Sequence, residues 1–227
     1  MQYDDLTTDF KEAAGDYRYL IRRGYSRKVV LKLVGDRYAL NACQRTMLYR
    51  GVFPREESDR RVKQRSSLAE AEALTIDGYN VLITLANYLY GRPVFLGTDG
   101  FLRDAGQAYG SLLKGPVFRR AITLLLRSLA AQQGMPVRII FDRPVPKSGD
   151  LAKDIRAAME NLGIHGSAET VTSPDYELKH ALTGSVCTSD SVIIDECPVS
   201  VCDLSREILD KAFEPEYIDL ARLFPKD

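Results

Sequence analysis

From Leu74 onward the chain alternates short apolar runs with helix-like segments, and this alternation limits the possible folds more than any other feature. The runs are LTID, PVFLG, VRIIFD, AETV, SVCT and VSVCD. Between them, VFRRAITLLLRSLAAQQG sets Phe118, Ile122, Leu125, Leu126 and Leu129 on one helical face and stops at Gly134. DLAKDIRAAMENLG does the same with Leu151, Ile155, Met159 and Leu162 before Gly163. Strand followed by helix, repeated, predicts an α/β fold: a mostly parallel sheet covered by helices on both faces. With 227 residues the chain is long enough to bury a substantial core.

The segment before this alternation has helical chemistry. Tyr17, Leu20 and Ile21 form one apolar cluster, and Gly24 interrupts it. Val29, Val30, Leu33 and Val34 predict a short amphipathic helix with Ser26 at its N-cap and Gly35 at its end. Leu40, Met47, Leu48, Val52 and Phe53 predict a third helix, closed by Pro54. The polar stretch PREESDRRVKQRSS reads as a linker. Residues 1–66 are therefore expected to form a basic helical domain plus linker, and residues 67–227 the α/β domain.

Charge follows the same division. Lys+Arg and Asp+Glu both total 31. Yet residues 1–66 hold 15 basic and 9 acidic side chains, and the remainder holds 16 and 22. A basic half suits a polyanionic partner.

Several classes of protein are excluded or disfavoured. No run approaches the apolar length of a membrane helix, so no membrane partner is expected. The N-terminus, MQYDDLTTDF, is acidic and lacks the apolar core of a signal peptide, which predicts a cytoplasmic protein. Cys43, Cys187, Cys197 and Cys202 form no CxxC pair, and His165 and His180 lie far apart, which argues against structural zinc and a disulfide framework. The motifs GxxxxGK[ST], GxGxxG and GxSxG are absent. Cysteine–histidine catalysis would need Cys187 beside His165 or His180, and a buried strand cysteine is the simpler reading.

What remains is aspartate. Open parallel sheets bind ligands beyond the carboxyl ends of their strands. Asp77 ends LTID, Asp142 ends VRIIFD, Asp175 follows AETV after a short loop, and Asp190 follows SVCT after one serine. Carboxylates converging in a partly desolvated cleft repel one another, and a hard divalent cation such as Mg²⁺ or Mn²⁺ relieves that repulsion. Such an ion also supports phosphoryl displacement. The structural alternative is that aspartate is a favoured cap and turn residue, as Ser173-Pro174-Asp175 illustrates.

TIDGYNVLITL resembles the first strand and loop of the PIN-like superfamily, in particular its NYN branch of metal-dependent ribonucleases. The resemblance implies paired roles for Asp77 and Asn80, with Asp142 in VRIIFDRPV and Asp175 in PDYELKHAL as further acidic positions. TSDSVII is similar to the family's T-x-D signature, giving Thr188 and Asp190, with Ser189 between them. It also implies a three-layer α/β/α domain, four carboxylates holding Mg²⁺ or Mn²⁺, and RNA as substrate. Asn80, Thr188 and Ser189 would orient water or carboxylates. The likeness spans about residues 73–212. RRGYSRKVVLKLVGDRYAL, LYRGVF and GTDGFLRDAG further resemble a prokaryotic family that joins a helical N-terminal domain to a PIN-like one. The PIN pattern often has a glutamate after the first strand, and this chain has no clear equivalent. Asp99 or Asp104 in GTDGFLRD stands as the substitute, against a tight turn around Gly97 and Gly100.

In the basic half, Arg22, Arg23, Arg27 and Lys28 are interleaved with Tyr17, Tyr19 and Tyr25. Arginine and lysine neutralise phosphates, and tyrosine stacks on unpaired bases. The alternative is a solvated helix face with tyrosines in a small core. The leading expectation is a metal-dependent endoribonuclease. Beside it stand a non-catalytic RNA-binding accessory protein and an adaptor whose α/β domain forms a homo-oligomer.

Overall fold

The computed structural model describes residues 6–106, 113 and 115–224. Four helices come first: α1 (Thr8–Arg22), α2 (Arg27–Arg37), α3 (Ala42–Gly51) and α4 (Arg55–Gln64). Caps define their starts. The Thr7 hydroxyl accepts from the Phe10 N–H, and Asn41 forms a reciprocal capping box with Gln44.

Two expectations for this region are corrected. The stretch read as a linker is α4 followed by the short strand β1 (Arg65–Ser66). It lacks an apolar stripe because its buried face is Ser58 and Arg61. Arg55–Asp59 and Glu57–Arg61 pair one turn apart, with acidic residues in the first turn and basic ones in the last, so charge itself supports the helix. Gly35 does not end α2 but lies within it. A Cβ there would fall 2.2 Å from the Arg45 guanidinium, so the glycine makes room for a neighbour instead of turning the chain. Ser26 does precede α2, but its side chain makes no capping bond.

The strands that follow are β2 (Leu74–Asp77), β3 (Val94–Leu96), β4 (Leu102–Asp104), β5 (Val137–Asp142) and β6 (Gly166–Val171). Then come β7 (Ser185–Cys187), β8 (Ser200–Cys202) and β9 (Ile218–Asp219). Helices α5 (Gly78–Leu89), α6 (Pro116–Ala130), α7 (Ser148–Asn161), α8 (Pro174–Lys179), α9 (Ser191–Glu196) and α10 (Leu204–Phe213) connect them. Six strands form a parallel sheet in the order β1-β8-β7-β2-β5-β6. A second sheet has the order β4-β3-β9, with β4 antiparallel to β3.

Alternation along the strands builds the three layers. Leu74, Ile76, Ile139, Phe141, Cys187 and Cys202 join a core with residues of α5, α6, α7 and α10. Ile140, Val186 and Val201 face the other way, onto Leu178 of α8 and Ile193 and Ile194 of α9. A third core unites α1–α3 with the second sheet through Phe95, Ile218 and Leu220. Gly51 allows this closeness: a Cβ there would lie 2.5 Å from the Phe95 ring and 2.7 Å from Leu220. The helical region thus shares a core with the second sheet. No helix of the described residues is long and apolar enough to cross a membrane.

Candidate functional site

The order of the main sheet locates a crevice. From β2 the chain moves outward to β5 and then β6, and returns to β7 on the opposite side of β2 before continuing to β8. Connections leaving β2 and β7 diverge, which leaves an opening beyond their carboxyl ends. Asp77 ends β2, and Thr188, Ser189 and Asp190 follow β7, with Ile76 and Cys187 in register.

Asp77 is the best-defined side chain of this crevice. It caps α5 by accepting the Asn80 N–H at 3.3 Å on Oδ1, and it accepts the Thr188 hydroxyl at 3.1 Å on Oδ2. The residue keeps some surface, but neighbouring atoms crowd its carboxyl. That burial pushes its pKa up to about 7, against the lowering effect of the two bonds, and the carboxylates of Asp190 and Asp142 push the same way. Asn80 holds the facing loop: its Oδ1 accepts the Ser189 N–H at 2.9 Å and the Ser189 hydroxyl at 3.0 Å. The Asp190 N–H donates to the Thr188 hydroxyl at 3.2 Å, and Asp190 caps α9 through the Val192 N–H at 2.8 Å. Asp77, Asn80, Thr188, Ser189 and Asp190 therefore form one connected group.

Asp142 ends β5, two residues beyond the partner of Asp77. It is half-buried, and burial together with the charge of Asp175 raises its pKa. Asp175 lies exposed in the first turn of α8, where the Ser173 hydroxyl accepts the Tyr176 N–H at 3.3 Å. The four carboxylates influence one another as a chain: Asp190 and Asp142 act on Asp77, and Asp175 acts on Asp142. None of the four pairs with a basic side chain among the described residues. Nor do three or more acidic, histidine or cysteine side chains among those residues form a group able to hold one ion.

Two residues here went unnoticed in the sequence. Tyr79 packs edge-on against Phe141 with ring centroids 5.1 Å apart, and burial and Asp142 raise its hydroxyl pKa. The contact needs Gly78, since a Cβ there would fall 2.3 Å from the Phe141 ring. Arg103 is fully buried and donates from Nε to the Ser189 carbonyl at 2.9 Å. Tyr79 lies within TIDGYN, two residues after Asp77, so its place beside the strand end is legible. Arg103 carried no signal, because a lone arginine in a strand gives no hint of burial.

Asp99 and Asp104 do not join this group, which corrects their reading as substitute metal ligands. Asp99 takes a two-pronged pair from Arg103 at 2.7 and 2.9 Å and a bond from Arg61 at 3.1 Å, and these cations hold its pKa down despite complete burial. Asp104 accepts from Arg50 at 3.0 Å and Asn87 at 3.0 Å. Both carboxylates are already neutralised by arginine. Asp99 does occupy a turn between Gly97 and Gly100, and Gly100 has φ +74°.

The basic set also divides. Arg22, Arg23 and Lys28 are exposed near exposed Tyr19 and Tyr25. Arg27 is corrected to a structural role. Its guanidinium bonds the Tyr17 hydroxyl and the Tyr49 carbonyl and lies 4.6 Å over the Phe53 ring.

Fold and site define an α/β protein with an acidic crevice at a switch point and a helical domain packed beside it. The chain belongs to the family described as "Domain of unknown function (DUF5616)", which matches residues 66–207. Residues 9–64 match "Protein of unknown function (DUF434)". The two matches meet at the junction of α4 and β1. Over 204 residues the chain is 35% identical to Uncharacterized protein MJ0935 of Methanocaldococcus jannaschii, spanning 88% of this chain and 96% of that protein. No solved structure matches the chain.

Proposed function

We propose that this chain is a metal-dependent endoribonuclease of the PIN-like type, hydrolysing RNA phosphodiesters in the crevice between β2 and β7. One observation carries the reading: Asp77 is a crowded carboxyl at the switch point, its charge disfavoured further by Asp190 and Asp142, with no basic partner among the described residues. Sites that hold a carboxyl pKa near neutrality by burial and like charge are characteristic of function.

The donor set fits a hard cation, since every candidate ligand is a carboxylate oxygen. Asp77, Asp142, Asp175 and Asp190 would hold Mg²⁺ or Mn²⁺. Mg²⁺ binds through one or two carboxylates, with water and substrate phosphate supplying the rest, so a closed group of three protein ligands is not required. Such an ion lowers the pKa of water and neutralises charge on the phosphoryl group. The chain's own residues do the remaining work. Thr188 and the Asn80 N–H hold Asp77 in place, while the Asn80 carboxamide holds the loop bearing Asp190. The crowding and like charge that push the Asp77 pKa up are what a bound cation would relieve, and a carboxylate of the set not engaged by the ion would accept the proton of attacking water. Arg22, Arg23 and Lys28 would meet phosphates, with Tyr19 and Tyr25 stacking on bases, and the protein would act in the cytoplasm.

The dispersal of the four carboxylates supports a second reading, an RNA-binding accessory protein with a degenerate site. Cleavage of single-stranded RNA with and without Mn²⁺, in wild type and Asp77→Asn, separates the two. The expected result is Mn²⁺-dependent cleavage that the variant loses. RNA binding without cleavage by either protein would refute the nuclease reading and leave the accessory one.

A further inference from the structure

The least expected group of side chains in the molecule lies next to the crevice. Arg61 and Arg103 are each 1% exposed and Asp99 is 0% exposed. A buried guanidinium is costly unless it is paired and its donors are used. Here they are. Arg103 gives Nη1 and Nη2 to Asp99 and Nε to the Ser189 carbonyl. Arg61 gives Nη1 to Asp99, and Nε and Nη2 to Asp195 at 2.7 and 2.6 Å. Phe53 lies beneath both, with the Arg61 and Arg103 guanidinium carbons 4.0 and 5.0 Å from its ring centre.

These bonds end on the crevice loop from two directions. The Ser189 N–H is held by Asn80 at 2.9 Å and its carbonyl by Arg103 at 2.9 Å. Asp195 lies on α9, the helix that Asp190 caps, and Arg60 adds a second bond to it at 2.7 Å. Arg60 and Arg61 both belong to α4, in the helical region.

We propose that Arg103 is a positioning residue: through the Ser189 carbonyl and Asp99 it couples α4 and Phe53 to the loop that carries Thr188 and Asp190. The helical region then sets the geometry of the acidic crevice as well as covering the second sheet. Arginine is required because three of its nitrogens, fixed in one plane, serve a carboxylate and a carbonyl together. Lysine keeps the charge beside Asp99 without that fork. What Arg103 does for turnover rests on the nuclease reading, whereas its hold on the loop does not.

The test compares Arg103→Lys with wild type in the full chain, without metal, by hydrogen exchange resolved to peptides. It adds RNA cleavage with Mn²⁺. Loss of a residue that orients ligands typically costs about tenfold to a hundredfold, so kcat is expected to fall by that factor with KM unchanged. Amides of residues 189–194 are expected to exchange about tenfold faster, while those of β5 and β6 keep their rates. Asp195→Asn, at a partly exposed position, releases α9 from the other side and should speed exchange of residues 191–196 while residue 189 stays protected, which separates the direct hold of α4 on α9 from that of Arg103. If Arg103→Lys does not fold, Arg103→Gln in the same exchange assay decides. Wild-type exchange at the loop in a folded variant would overturn the proposal, as would a uniform rise across the sheet. A wild type that cleaves no RNA refutes the nuclease reading alone, and the exchange result still decides the role of Arg103.

Discussion

Asp77→Asn isolates the cost of holding a carboxylate in the crevice. In the folded protein burial, with the charges of Asp190 and Asp142, pushes the Asp77 pKa up to about 7, against an ordinary value of 3.8. Between those values the folded state keeps a proton that the unfolded chain has released, so stability falls as pH rises through this window. Its contribution is complete below about pH 4 and lost above about pH 7. At about 1.4 kcal/mol per pH unit the loss is at most about 4 kcal/mol, and solvent at the partly exposed residue reduces it to about 1–3 kcal/mol. Asparagine preserves the shape, and its Oδ1 can still accept the Asn80 N–H. Weakening of the two bonds by removal of the charge costs about 1 kcal/mol. The metal-free variant is therefore expected to be up to about 2 kcal/mol more stable than wild type at pH 8, a rise of up to about 8 °C in Tm, and no more stable at pH 4. Thermal and urea unfolding in EDTA at both pH values measure this. Added Mn²⁺ should then stabilise wild type and leave the variant unchanged. A variant less stable at pH 8, or a difference equal at both pH values, would refute the argument that burial and like charge act on Asp77.

Two further outcomes concern the helical region. Changing Arg22, Arg23 and Lys28 to glutamine should reduce the slope of log affinity against log salt for single-stranded RNA, by about 0.7 for each phosphate no longer neutralised. An unchanged slope removes this face from RNA binding; Arg27 is left intact because it holds Tyr17 and Tyr49. Chain 65–227 alone is expected not to fold cooperatively, because it uncovers Phe95, Ile218 and Leu220 and strips Asp99, Asp104 and Asp195 of arginines from α3 and α4. Circular dichroism through a thermal ramp reads this, and a cooperative transition at the wild-type Tm would contradict it.

The parallel sheet was legible because its strands carry their own signal. LTID and VRIIFD set large apolar residues on alternate faces, and both became strands at those residues. The helices with continuous apolar faces were equally open, since Phe118, Leu125 and Leu129, like Ile155 and Met159, are buried as their spacing requires. Where polar side chains replace apolar ones the reading failed. α4 buries Ser58 and Arg61, so no periodicity marked it, and the same charges that made it resemble a linker fasten it to Asp99 and Asp195. Val29 and Leu33 failed in the other direction. Their spacing is helical, yet both face outward while Val30 and Val34 turn in.

The candidate site divides along the same line. Asp77, Asn80, Thr188, Ser189 and Asp190 lie in two short segments at the ends of strands that prove to be neighbours, so local sequence and sheet order together identify them. Asp99 and Asp104 occur in similar loops, and for Asp104 nothing local separates it from the crevice aspartates, whereas Asp99 has Arg103 four residues on. The difference is the cation each one meets. Asp99 meets Arg103, four residues on, and Arg61, 38 residues away, while Asp104 meets Arg50, 54 residues away, and both are neutralised by the fold. Asp77 meets only other carboxylates, a backbone N–H and a hydroxyl. An aspartate at a strand end is therefore a structural anchor or a reactive group according to a partner that sequence distance conceals. In this chain the helical region supplies cations to Asp99, Asp104 and Asp195 but none to Asp77 at the switch point, which is why the charge left uncompensated there carries the functional reading.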